Sequence, residues 1–209
     1  MYFKPGTQFP LDSALKYLMV KSANDVAVAV AEAVGGSVEN FVAMMNADAA
    51  RIGMTSSHFI NPNGLPGEGQ YTTAHDMAVL AVALRREFPE YASYFSLEGF
   101  TTGKKSYTNY NALIGRFEGA DGMKTGYICA SGFNQVSTAT RNGKTVVTVV
   151  FGAPSLSGRA EQSAQLLQEA FAAPATSAVT LSSLAPYGAE RDQVTDISGT
   201  VCGPKKNSA

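Results

Sequence analysis

The chain has 209 residues, 45% of them apolar, with glycine, proline and aromatic residues well spread, a composition that fits one packed domain with a tail and excludes a wholly disordered chain. Its 16 basic and 17 acidic residues give a formal charge of -1 and form no runs, so nothing in the charge pattern favours nucleic acid or an anionic membrane surface, and a small or oligomeric neutral substrate fits better. No stretch approaches the roughly 18 to 20 consecutive apolar residues that span a bilayer, and residues 1–6 carry no basic region followed by an apolar run.

In chain order, Leu11, Leu15, Leu18 and Met19 recur at helical spacing, and the pattern halts at Lys21-Ser22-Ala23-Asn24 before resuming over 25–34. A polar break therefore separates two predicted helices. A third should start from Ser37 as its N-cap, carry Phe41, Met45, Ala49 and Ile52 along one face, and stop at Gly53. Asn61-Pro62-Asn63-Gly64 reads as a turn. Thr73 and Asp76 match a capping box ahead of Met77, Leu80, Ala81 and Leu84, which predicts a helix over 73–86 and completes a helical lobe.

After Tyr107 the character changes. Residues 133–141 and 144–152 are β-rich runs joined by Asn142-Gly143, a strong hairpin signal. A helix over about 159–171 should lie across that sheet. The stretch 172–209, rich in Ala, Ser, Thr, Gly and Pro, reads as a linker or disordered tail. Cys129 and Cys202 match no metal spacing, and whether they form a disulfide is open at this level.

Two short constellations carry reactive side chains where the backbone changes shape. Ser22 and Asn24 sit at the junction between helices, where a hydroxyl and an amide can face a cleft; the plainer reading is that one of them caps the following helix. Asp121-Gly122-Met123-Lys124-Thr125-Gly126 precedes a mostly apolar segment, 127–130, that can begin a sheet edge. Lys124 and Thr125 offer a cation and a donor to a substrate carboxylate, and Gly126 leaves room for an extended peptide to pair with the strand; the plainer reading is a solvated turn. Of the two histidines, His58 and His75, the second lies in the capping-box turn and reads as structural; no Gly-x-Ser-x-Gly elbow occurs, and Phe41, Met44, Met45, Phe59 and Phe95 read as core.

Together with Phe3-Lys4-Pro5-Gly6, Asn61-Pro62-Asn63-Gly64-Leu65, Tyr71 through Ala78, Asn109-Tyr110-Asn111 and Ser131-Gly132-Phe133-Asn134, these blocks resemble the serine D-alanyl-D-alanine carboxypeptidases. These are low-molecular-mass penicillin-binding proteins that share a fold with the serine β-lactamases. The resemblance covers about 1–171 and implies an α/β (α+β) fold, with a helical lobe packed against an antiparallel sheet and 172–209 outside it. It implies that Ser22 assists proton transfer to the leaving group and Asn24 contacts the substrate peptide. Lys124, Thr125 and Gly126 would hold the terminal carboxylate and the peptide backbone. No metal and no cofactor are implied. The implied substrate is a peptidoglycan pentapeptide ending in D-Ala-D-Ala, with β-lactams as its mimics, in a periplasmic or extracellular setting.

The family places its nucleophile in a Ser-x-x-Lys some sixty residues ahead of the middle motif, whereas only 21 residues precede Ser22 here. The sole match, Ser13-Ala14-Leu15-Lys16, falls on the helix leading into that motif, about 13 Å from Ser22 along a helix axis, too far for a proton relay of about 3 Å. The expectation is a truncated product or fragment that lacks the nucleophile, the first strands and the central helix, and that does not cleave by itself. A non-catalytic cell-wall peptide-binding protein and a β-lactamase of the same fold are the alternatives.

Overall fold

The computed structural model describes residues 1–103, 105–174, 180–184 and 194–203. Helix α1, Leu11–Lys16, runs into a π-helical turn, Tyr17–Lys21, that ends at Ser22 in the left-handed conformation (φ 55, ψ 50). Helix α2, Asn24–Gly35, follows. Helix α3, Val38–Ile52, starts where the Ser37 hydroxyl accepts the Asn40 N–H and stops at Gly53 (φ 88), a conformation that glycine adopts without a Cβ clash. In α4, Ala74–Glu87, the Thr73 hydroxyl accepts the Asp76 N–H in the same way.

A 3₁₀ turn, Pro89–Tyr91, leads through α5, Ala92–Phe95, into a hairpin of β1, Gly99–Thr102, and β2, Lys105–Thr108. The main sheet is antiparallel in the order β3, Ala120–Ile128, β4, Gly132–Arg141, and β5, Lys144–Ala153, so β3 is an edge strand. Asn142 (φ 50) and Gly143 (φ 76) turn β4 into β5, the left-handed pair that an Asn-Gly hairpin needs. Helix α6, Leu156–Ala172, and the short α7, Ser198–Val201, complete the described chain.

Alternation along β4 assigns a face to each helix. Arg85 of α4 donates to Thr138, whereas Ala139 packs with Leu167 of α6. The sheet therefore lies between α4 and α6, with even-numbered β4 residues toward the first and odd-numbered ones toward the second. A second apolar cluster, Ala14, Ala23 and Val26 with Phe3, Phe9 and Tyr17 against it, holds the α1–α2 junction. From Tyr17 the ring contacts continue to Phe100 (5.1 Å) and Tyr107 (4.9 Å), which couples the junction to the β1–β2 hairpin.

The helical lobe, the β4–β5 hairpin and the helix across the sheet lie where expected, α6 starting three residues early at Leu156. Three readings are corrected. Neither Ser22 nor Asn24 caps α2: Ala23 holds that position and no side chain bonds there. Lys124, Thr125 and Gly126 lie within β3, not ahead of a strand. Met44, read as core, is 47% exposed, and the β1–β2 hairpin was not expected. Of the stretch read as a tail, 175–179, 185–193 and 204–209 lie outside the described residues; within 194–203, Cys202 forms a disulfide with Cys129, and the Ile197 N–H donates to the Ala130 carbonyl (2.9 Å).

Candidate active site

The helix junction and the edge strand meet at one contact: the Lys124 ammonium donates to the Ser22 hydroxyl at 3.0 Å and to the Thr125 carbonyl at 2.8 Å. Ser22 reaches this place because the chain turns through the left-handed region there. That conformation costs a non-glycine residue about 1 kcal/mol. The turn's own bonds offset it: Ser22 N–H to the Leu18 carbonyl (3.1 Å) and Ala23 N–H to Tyr17 (3.3 Å). Strain of this kind, held by its surroundings, points to a functional position.

The strand is aimed by two polar clusters. At its start, Arg85 grips Asp121 through both oxygens (3.0 and 2.9 Å), and Thr138 and Thr140 donate to the same carboxylate (2.6 and 2.7 Å). In its middle, the buried Asn111 donates to the Gly122 carbonyl (2.9 Å) and accepts from Gln135 (3.0 Å). The neighbouring Tyr110 joins the junction to α6: its hydroxyl takes a hydrogen bond from Lys21, and its carbonyl accepts from Arg159 (2.9 Å).

Arg159 is 3% exposed, and among the described residues no carboxylate pairs with it. Among the described residues its guanidinium donates to the carbonyls of Tyr110 and Asn134, and its Nε has no partner. Burial lowers its pKa below the usual arginine value. Burial of the ammonium and, secondarily, the charge of Arg159 push Lys124 down to about 8. Among the described residues, neither cation is paired with a carboxylate. Thr125 pairs with Gln135 in the β3–β4 register and so shares the α6 face with Arg159. Gly126 has open space where a side chain would stand.

The structure brings together Ser22, Lys124, Thr125 and Gly126. Asn24 opens α2 two residues from Ser22, its side chain exposed and without a hydrogen-bond partner among the described residues. Ser13 and Lys16 do not join them: Lys16 is held by Asp12 (2.8 Å), which also accepts from Tyr94 (2.8 Å). Sequence reasoning missed Arg159, which looks like an ordinary helix-start residue until the fold buries it. A cleft of about 660 Å³ lies behind the β1–β2 hairpin, lined by residues that include Phe100, Tyr107, Tyr110, Arg116 and Leu156; neither Ser22 nor Lys124 borders it. No group of three or more metal-binding side chains occurs among the described residues.

This architecture is that of the penicillin-binding proteins. It superimposes on penicillin binding protein 5 from Haemophilus influenzae with a TM-score of 0.79 at 36% identity, over 82% of this chain and 51% of that one. The D-alanyl-D-alanine carboxypeptidase DacD from Francisella tularensis gives 0.78 at 32%, over 82% and 54%. Residues 1–155 match the model of the S11 peptidase family, D-alanyl-D-alanine carboxypeptidase, and the chain belongs to that family. Among curated relatives, the D-alanyl-D-alanine carboxypeptidases DacA of Haemophilus influenzae and DacC of Escherichia coli are each 36% identical, over 174 and 172 residues. The chain spans less than half the length of each (44% and 43%).

Proposed function

We propose that this chain carries the substrate-holding side of a serine D-alanyl-D-alanine carboxypeptidase site that acts on peptidoglycan peptides outside the cytoplasm. The observation that carries the reading is the 3.0 Å contact from Lys124 to Ser22, together with a buried guanidinium that has no acidic partner among the described residues. The terminal carboxylate of the peptide supplies the missing anion, accepting from Lys124, Thr125 and Arg159. The peptide backbone lies along the β3 edge past Gly126, and the Asn24 amide contacts it.

In the acyl transfer, a serine oxygen bonds to the carbonyl carbon of the penultimate D-alanine, the peptide bond to the last residue breaks, and water later hydrolyses the ester. Because Lys124 is cationic below about pH 8, it donates to Ser22. The Ser22 proton is thereby left for the departing amine nitrogen. β-Lactams, which present a carboxylate beside a strained amide, occupy the same place. The Cys129–Cys202 disulfide supports an oxidising compartment such as the periplasm or the cell exterior.

The reading assigns no nucleophile to Ser13, since Lys16 is engaged by Asp12. Calorimetry with N-acetyl-glycyl-D-alanyl-D-alanine is expected to show reversible binding that Lys124→Ala weakens at least tenfold, and intact-mass measurement after penicillin treatment is expected to show no covalent adduct. Absence of any peptide binding contradicts the reading. An adduct on Ser13 contradicts the assignment of the catalytic groups.

A further inference from the structure

A second groove, of about 450 Å³, opens between α1 and the turn that leads into α5, and neither Ser22 nor Lys124 borders it. Asp12 and Lys16 of α1, Glu90 and Tyr91 of the Pro89–Tyr91 turn, Tyr94 of α5 and Leu97 line it. Tyr91 is 47% exposed, and its ring stacks on that of Tyr94 with centroids 6.2 Å apart and planes inclined by 26°. The Tyr94 hydroxyl donates to one oxygen of Asp12 (2.8 Å) and the Lys16 ammonium to the other (2.8 Å). The exposed ring and the carboxylate are thus joined through Tyr94 into one surface.

The chemistry of that surface narrows what it can hold. Tyr91 presents an apolar platform braced from behind by a second ring. Each Asp12 oxygen takes one hydrogen bond from the protein and keeps a further lone pair for a ligand, and the side chain is 53% exposed. Hydrogen bonds from Lys16 first and Tyr94 second hold Asp12 below the usual carboxylate range, so it stays an ionised acceptor at neutral pH. Asp12 and Lys16 cancel in charge, and Glu90 joins no ion pair among the described residues, so the groove is weakly negative and disfavours phosphates and other anions. A neutral ligand suits it, one with hydroxyls that donate to Asp12, an amide carbonyl that accepts from Lys16, and a face of C–H bonds that lies flat on Tyr91. An N-acetylated pyranose has all three.

We propose that this groove binds the glycan of peptidoglycan rather than its peptide: a β-1,4-linked strand of N-acetylated hexosamines, with one ring on Tyr91, a hydroxyl on Asp12 and an acetamido group against Lys16 and Leu97. The choice of glycan rests on the reading of the chain as acting on peptidoglycan. Asp12 precedes Ser22 by ten residues on the helix and turn that carry both, about 15 Å along the axis at 1.5 Å per residue. A glycan in the groove therefore leaves Ser22 and Lys124 free for a peptide.

The test is calorimetry of the purified chain with tetra-N-acetylchitotetraose, which carries no peptide. Reversible binding is expected, weakened about tenfold by Tyr91→Ala and about fivefold by Asp12→Asn, and kept by Tyr91→Phe, which preserves the ring. Tyr91→Ala is expected to leave the unfolding midpoint and the affinity for N-acetyl-glycyl-D-alanyl-D-alanine unchanged, which separates loss of the groove from loss of the fold. Cellotetraose, with the same linkage and no acetamido groups, is expected to bind about fivefold more weakly. No binding of the chitotetraose, or binding that neither Tyr91→Ala nor Asp12→Asn weakens, overturns the proposal. Equal affinity for the two tetraoses overturns the assignment to N-acetylated sugars. Chitotetraose binding that Tyr91→Ala weakens, in a chain that fails to bind the peptide, removes the functional reading and leaves the groove.

Discussion

At its start, strand β3 carries a carboxylate, Asp121, that accepts hydrogen bonds from Arg85, Thr138 and Thr140, whereas three residues later it carries an ammonium, Lys124, that among the described residues donates to a hydroxyl and a carbonyl. The first region is electrostatically complete and aims the strand. In the second, Lys124 and Arg159 have no anionic partner among the described residues, and both are held below their ordinary pKa values by burial. Charge that is satisfied inside the fold contributes stability, while charge left unsatisfied is available to a ligand at some cost in stability.

This contrast predicts opposite responses to substitution. Asp121→Ala strips Arg85 and two threonine hydroxyls of their acceptor and is expected to destabilise the chain by about 3 kcal/mol in chemical denaturation. Lys124→Met is expected to do the reverse, raising stability by about 1 kcal/mol while abolishing the preference for peptides with a free carboxylate. If both substitutions destabilise alike, the two ends of β3 do not differ in kind.

The same contrast explains what was legible in the sequence. Helix α3 could be bounded from Ser37 and Gly53, and β4–β5 from Asn142-Gly143, because local side chains and backbone conformation settle those ends. Strand β3 was read too short because Asp121-Gly122 and Thr125-Gly126 carry turn chemistry. Their extended conformation depends on partners far away in the chain, Arg85 on α4 and the threonines of β4. The β1–β2 hairpin escaped for a related reason: each strand has four residues, too few for a period to show, and it is held by Tyr17 against Phe100. Ser22 and Lys124 could be singled out as candidates from their motifs. Arg159 could not, since nothing around it in the sequence announces that it will be buried.

Smaller effects come from titration. Lys124 is cationic below about 8 and neutral above, so affinity for a peptide carboxylate is expected to fall as pH rises through that value. Calorimetry between pH 6.5 and pH 9.5 would check this, and a flat profile would remove Lys124 from the anion site. His75 supplies the least of these effects. Its ring nitrogens face the buried Asp76 carboxylate (3.0 Å) and the Leu181 carbonyl (3.0 Å), and first the former, then the latter, raise its pKa. A raised folded-state value stabilises the fold fully below the unfolded histidine value, about 6.5, and that contribution is lost as pH rises through the folded value. Hydrogen exchange at 180–184 is therefore expected to quicken relative to α3 as pH rises through that window, after correction for intrinsic rates, and His75→Leu is expected to remove the dependence.

The central claim is that the Ser22–Lys124 meeting point holds a D-Ala-D-Ala carboxyl terminus. Its most direct test is an amide chemical-shift titration of the labelled chain with N-acetyl-glycyl-D-alanyl-D-alanine. The account predicts the largest changes at Ser22, Lys124, Thr125, Gly126 and Tyr127. Changes concentrated instead around Phe100, Tyr107 and Arg116, in the cleft behind the β1–β2 hairpin, would contradict it.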